Sequence, residues 1–591
     1  MRRVLFALLA LFLAVQLSPA GAATRVLLGQ KLTASEIAAL KDSATNQGEI
    51  ALIVGLEVAF APEGTLDQAA IATQRAEIAT ATSSLMNALS TTSRAKVRTF
   101  QRIPFLALRA TEDDIDRLAR NAKSRSFQAD LNNGPASRIP SGTLSSNPIV
   151  LTPSETPPRG NSQVIAVIDT GVQATHVAFT TNGNRIVHQA CFLPDSSLCN
   201  SACRASGCET GTHVAGIAAG SAAGFSGVAP GASLMSIRVF SDESVEAWDS
   251  DILSALEEVL KKSSDFSIAA VTLAVEDLGA DLFIGEYCDS QKLALKAAID
   301  NLRSLGIPTI APTGNYGLYS RGSMTSPACI SSAISVGAVS AMPWGDCVFS
   351  GEAGDGSTTE TDKLLCISNI SSLTSLLAPG APIRSALPGS TSSPTSTNSY
   401  GVRGGTAMAV AQVAGAWAVL KQKAPGASVD SILDVLKRTG KLVSHSAGTT
   451  RRIDIGAAIT AIAEKKIVYT RAGTGAGRVT FTQGASVCLD SCEKAFPSGG
   501  EVVLTAAADP GSTFAGWSSA CTGTTSTCRV QVANVVAVKA TFNTAAATTY
   551  QLNLSKSLNG SVTVAAAGRT TQTCAAADTS CTYSFNENTQ I

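Results

Sequence analysis

Apolar and polar positions along this chain change period three times, and each change marks a different kind of structure. Ile50-Ala51-Leu52-Ile53-Val54 is a short unbroken apolar run suited to a buried strand, and Ile71, Ile78, Leu85 and Leu89 then recur at helical spacing. Ile103 to Leu108 is a second extended run, Ile115, Leu118 and Ala119 mark another helix, and Phe127 to Asp130 closes the pattern. Residues 23–130 therefore predict a small α+β domain. Residues 131–161, rich in Pro, Ser, Asn and Gly, read as a linker.

From 162 to 465 apolar strands at Val164 to Ile168, Ser233 to Val239 and Ile307 to Ala311 alternate with helical patterns at Asp251 to Lys262, Leu293 to Leu305 and Ser428 to Arg438. That alternation predicts an α/β domain, a mostly parallel sheet flanked by helices. Beyond 466 the period falls to two, as in Val530 and Val532, then Val538, Ala540 and Phe542, and predicts an all-β region. It holds two internal repeats, 466–543 and 548–591. Leu558 to Val564 parallels Gly475 to Phe481, and Cys574 and Cys581 parallel Cys488 and Cys492. The second copy stops before a counterpart of Phe514-Ala515-Gly516-Trp517, so the chain is expected to belong to a longer protein.

Composition narrows the setting. With 45 basic and 45 acidic residues the net charge is zero, and no basic stripe proposes a nucleic-acid partner. Met1-Arg2-Arg3, the apolar run from Val4 to Leu17 and Ala20-Gly21-Ala22 read together as a secretory signal peptide over 1–22, of bacterial type. The run is shorter than the roughly 20 residues a spanning helix needs, and no later stretch looks transmembrane. Export, with 14 cysteines behind it, implies a secreted or cell-surface protein carrying disulfides. Cys191, Cys199, Cys203 and Cys208 crowd together, Cys347 and Cys366 flank a polar insertion, and Cys288 with Cys329 is a candidate pair, though spacing leaves connectivity open. Four histidines and no paired C-x-x-C motif give no expectation of a metal site. No cofactor is expected, and calcium sites are not readable from these residues.

Four short segments carry chemistry. Asp169-Thr170-Gly171 follows the first core strand; Gly211-Thr212-His213-Val214-Ala215-Gly216 opens a helix of small residues; Thr313-Gly314-Asn315 follows a later strand; Gly405-Thr406-Ala407-Met408-Ala409 leads into Trp417. Read singly, Asp169 caps a turn, His213 is as easily a packing residue, and Asn315 is a Gly-Asn turn. Taken together, in this order, they resemble the subtilisin-like serine proteases, the subtilases. The resemblance implies that Asp169 orients an imidazole, His213 acts as the base, Asn315 donates to the oxyanion, and position 407 is the nucleophile. Such a donor is worth about 2.7 to 4 kcal/mol in the transition state. Here position 407 is alanine.

Other departures accompany it. The family has a further histidine where this chain has Thr210, and a proline where it has Ala411. Its substrate-binding S-L-G-G strand is replaced by Ala274-Val275-Glu276-Asp277, whose two carboxylates would crowd or repel a bound chain, or favour a basic one. His176 matches a structural family position, while His188 and His445 match nothing and read as surface or packing residues. Residues 23–130 resemble the inhibitory propeptide of secreted subtilases at Pro62-Glu63-Gly64, Gln74-Arg75 and Ile103-Pro104-Phe105. Such a propeptide helps the enzyme fold, covers its cleft and is removed by it.

The implied function is a secreted serine endopeptidase whose missing hydroxyl leaves it proteolytically inactive or severely impaired. Its implied partners are a peptide or protein substrate and its own propeptide in the cleft. The alternatives are a pseudoprotease that binds peptides by strand addition, or a surface adhesion protein acting through the C-terminal repeats.

Overall fold

Each of the three longer N-terminal helices begins at a side-chain cap. Thr33 and Thr111 close capping boxes with Glu36 and Asp114, and Asp67 accepts from the Ala70 amide. These caps fix the helices Ala34–Gln47, Gln68–Ala88 and Glu112–Arg120 of a computed structural model. It describes residues 25–138, 158–194, 199, 207–241, 246–277, 282–349, 356–389, 396–462, 465–482, 486–496, 501–532, 535–545, 549–555, 562–564, 572–574 and 580–586. The leader expected at 1–22 and most of the expected linker lie outside these residues.

The helices cover a four-stranded antiparallel sheet ordered Arg98–Thr99, Phe105–Ala110, Ile50–Leu56, Ser124–Ala129. Strand alternation sorts the apolar residues between two cores. Leu52, Val54, Leu106 and Leu108 meet Ile78, Leu85, Ile115 and Leu118 beneath the helices. Ile53, Phe105 and Ala107 turn the other way, onto Ile252, Leu256, Val259, Leu295 and Ile299 of the α/β domain. The expected small α+β domain is thus present, and its open sheet face is sealed by the helices Asp249–Lys262 and Leu293–Ser304.

The α/β domain is built on a nine-stranded sheet. Its order is Lys441–His445, Gly448–Arg452, Leu376–Ala381, Ile334–Ser340, Thr309–Pro312, Ile268–Leu273, Val164–Asp169, Ser233–Arg238, Ile186–Cys191. All neighbours are parallel except the first pair. Ile165 and Val167 are as buried as Ala166 and Ile168, as a sheet covered on both faces requires. The helices Glu209–Ala219 and Thr406–Lys423 pack on each other, the latter buried from Thr406 to Leu420. Cys288 pairs with Cys329, Cys347 with Cys366 and Cys191 with Cys199.

A second compact unit begins at Ile467. Its sheets follow the repeat: Val479 faces Cys488 in the first copy, and Val562 faces Cys574 in the second. These are the positions that the sequence correspondence aligns. Gly516, at φ 139°, lets the strand Ser512–Ser519 bulge beside Phe514, and Trp517 then donates its indole N–H to Thr525 O at 2.8 Å.

Candidate active site

The groove lies where parallel strands end, as expected for sites on such sheets. Asp169 is the last residue of Val164–Asp169, Ala274 directly follows Ile268–Leu273, and Asn315 follows Thr309–Pro312. Gly405, at φ 125°, turns the chain into the helix Thr406–Lys423 and brings Ala407 to the same end. A Cβ at Gly405 would sit 2.7 Å from Ala136 O, so glycine is needed for a close approach as well as for the turn.

That approach is made by the start of the segment read as a linker. Residues Asn132–Pro135 form a strand between Ala247–Trp248 and Val275–Asp277, antiparallel to both. Beyond it the Ala136 amide donates to Ala274 O at 3.2 Å, and the Ala407 amide donates to Ala136 O at 3.0 Å. Arg138 and Gly404 exchange both backbone bonds, at 2.6 and 2.7 Å. The Ala136-Ser137 peptide is therefore held over Ala407. This corrects two expectations. The linker does not begin at 131, and the carboxylates of the 274–277 wall do not keep a chain out.

They are neutralised in two separate ways. Asp277 pairs with Lys292 Nζ at 3.1 Å, and the same ammonium reaches Asp249 at 3.4 Å. Burial pulls Lys292 down, but the two carboxylates outweigh it and hold the ammonium above its usual range. Glu276 Oε2 accepts from the Asn315 backbone amide at 2.7 Å and from Asn315 Nδ2 at 3.2 Å, while Oε1 lies 3.1 Å from Arg138 Nη2. Burial raises the Glu276 carboxyl, and Arg138 and Asn315 oppose it.

Asn315 is the residue expected to donate to an oxyanion, and its donor is directed to Glu276. Its Oδ1 accepts from Thr406 N and Oγ1 at 3.0 and 3.2 Å. Both ends of the amide are thus engaged within the protein.

His213 is not brought to Asp169. Its Nε2 lies 3.1 Å from Ile383 O and 3.2 Å from Gly401 O, and carbonyls only accept, so the proton sits on Nε2. Nδ1 has no partner, and neither does Asp169 Oδ2, so the two are not bonded to each other. Burial, then Arg403, depresses the imidazole to about 3, and the ring is neutral. The expected base is corrected to a packing residue on the strands Ile383–Leu387 and Ser399–Arg403. The residue seen against the Asp169 turn is Gly211. The Gly211 amide donates to Thr170 Oγ1 at 3.0 Å, and a Cβ there would lie 2.2 Å from Gly171 O. Next to Gly211 is Thr210, the position where the family resemblance implies a further histidine. His176 does cap Val177–Thr180, His188 meets Glu258 at 3.0 Å, and His445 meets Thr450 at 2.9 Å.

Asp169 is consequently a buried acid with one idle oxygen. Burial lifts it to about 7 against the pull of the Thr170 amide. A carboxyl raised in the folded state costs stability as pH rises from its unfolded value near 4 through about 7, and that loss persists above. Asp169→Asn keeps the bond to Thr170 and removes the loss. Its melting temperature should exceed that of the unaltered chain by a margin that grows from about pH 5 to about pH 8, read by thermal unfolding; an unchanged margin would contradict the assignment.

The parallel α/β sheet thus carries Asp169, Asn315 and the start of the helix Thr406–Lys423 at one end of its strands, with a peptide strand paired beside them. The family model described as "Subtilase family" matches residues 160–485, and the chain belongs to the subtilases. Residues 475–546 match the "Divergent InlB B-repeat domain". Subtilisin NAT of Bacillus subtilis subsp. natto is 29% identical over 292 residues, which are 49% of this chain and 62% of that protein, so the chain spans less than two thirds of this relative. Subtilisin of Bacillus pumilus is 28% identical over 292 residues, 49% of this chain and 86% of that one. The crystal structure of fervidolysin from Fervidobacterium pennivorans, a keratinolytic enzyme related to subtilisin, aligns with 95% of this chain and 87% of its own at a TM-score of 0.47 and 17% identity.

Proposed function

We propose that this chain is an exported subtilase-fold pseudoprotease whose groove holds its own residues 132–138 in the place of a substrate and does not cut them. The observation that carries this is the Ala136 carbonyl on the Ala407 amide at 3.0 Å, with a methyl group where attack on that carbonyl needs an oxygen. Three further features support it: Asp169 and His213 are unpaired with each other, position 210 lacks an imidazole, and Glu276 has taken the Asn315 donor. On this reading the N-terminal α+β domain is a propeptide that stays attached, since its removal needs the chemistry that is missing. The leader at 1–22 and the disulfides support export. The reading is tested by following the bond between 136 and 137 in the purified chain, which should stay intact.

A further inference from the structure

The main-chain bonds along the groove would hold almost any extended peptide, because every residue offers the same N–H and C=O. Side chains add to them: Asn133 Nδ2 donates to Asp249 at 2.8 Å, and the ionic contact past Ala407 is made by Glu276. Glu276 is 1% exposed, and its Oε2 is occupied by the two Asn315 N–H groups. Its Oε1 faces the guanidinium of Arg138 at 3.1 Å. Arg138 is held there by the paired bonds to Gly404, two residues beyond the carbonyl that rests on Ala407. The neighbouring Asp277 cannot substitute in this role, because Lys292 already neutralises it.

We propose that Glu276 makes this groove selective for an extended peptide carrying a basic residue two positions past the residue over Ala407, supplied in the resting protein by Arg138 and in a partner by an equivalent Arg or Lys. This inference rests on the reading of the groove as occupied and uncleaving, and names the ligand class of that same site. If Arg138 leaves, a carboxylate remains in a dry wall with amide donors alone, and removing one partner of a buried pair is strongly unfavourable. A displacing peptide must therefore return a cation to the same place. A neutral residue leaves Glu276 unpaired, and an acidic one adds repulsion. The partner is an extended basic segment of another protein, which exchanges with 132–138 by strand addition.

Amide hydrogen exchange on the full chain separates this inference from the reading beneath it. In the unaltered protein the amides of residues 134, 136 and 138 should be protected. Arg138→Ala and Arg138→Glu should speed their exchange at least about tenfold, and Arg138→Lys should preserve most of the protection. In a Glu276→Gln background the Arg-to-Ala change should have under about a threefold effect. Unprotected amides in the unaltered chain would sink the occupied-groove reading itself. Protected amides that are indifferent to Arg138→Ala would overturn the role of Glu276 alone. A second arm uses the full chain with residues 133–138 replaced by Gly and Ser, probed with a fluorescent peptide of residues 131–138. This peptide should bind at least about tenfold tighter than versions ending in Ala or Glu, and lose that preference in Glu276→Gln. Equal binding of the three peptides, or binding of none, overturns the proposal.

Discussion

Ala407→Ser by itself should leave peptide hydrolysis at background, whereas Thr210→His with Ala407→Ser should raise it by about a thousandfold or more. The members of such a triad act as one unit: in subtilisin, losing the serine or the histidine alone costs about as much as losing all three, roughly 2 × 10⁶ in kcat. Supplying the hydroxyl without a base therefore restores almost nothing. His213 cannot serve, because its Nε2 proton is committed to Ile383 O and Gly401 O and its ring is neutral down to about 3. A histidine at 210 would adjoin Gly211, whose amide bonds the Thr170 hydroxyl next to the idle Asp169 oxygen. Adding Glu276→Gly frees the Asn315 donor and should contribute a further factor of about 10² to 10³. The gain is read on a short peptide substrate and, in the same sample, as scission between Ala136 and Ser137. Full activity from Ala407→Ser alone would return His213 to the catalytic role that the geometry denies it.

Lys292→Met should lower the unfolding free energy by about 3 to 5 kcal/mol, the usual cost of stripping one partner from a buried ion pair. Lys292 is 5% exposed and stands between Asp249 and Asp277, themselves 2% and 1% exposed. Asp249 also accepts from Asn133 Nδ2 at 2.8 Å, so the cluster supports the strand lying in the groove. Burial already raises the Asp249 carboxyl, with Lys292 opposing it. Without the ammonium the Asp249 carboxyl rises further. Carboxyls raised in the fold give most stability below their unfolded values near 4 and lose it as pH climbs. Denaturant titration should therefore show a smaller deficit for the variant at about pH 4.5 than at about pH 7.5. A deficit independent of pH would mean that lost packing, and not charge, is responsible.

Much of the fold is legible in sequence because its signals are local. The runs at Val164 to Ile168 and Ser233 to Val239 become adjacent parallel strands, and Leu293 to Leu305 becomes the helix Leu293–Ser304. Val479 and Val562 end opposite the cysteines that the repeat aligned. The site is less legible, for three physical reasons. Asn132–Pro135 has no alternating apolar pattern, since its strand is specified by backbone pairing to two flanking strands, and composition alone makes it a linker. Glu276 and Asp277 are adjacent in sequence and alike in charge, yet the strand sends them to different cations, Arg138 and Lys292, far apart in the chain. The choice between positions 210 and 213 depends on which face of the helix Glu209–Ala219 turns to Asp169, and the departure at 210, though visible in sequence, does not by itself fix that face.

The peptide bond docked over Ala407 should not be cut. The direct measurement is a time course on the purified full chain, with peptide mapping of the segment that contains Ala136 and Ser137. The spanning peptide should be recovered undiminished at every time point, at any protein concentration. Progressive appearance of a new amino terminus at Ser137, at a rate independent of protein concentration, would mean that this chain cleaves itself and is no pseudoprotease.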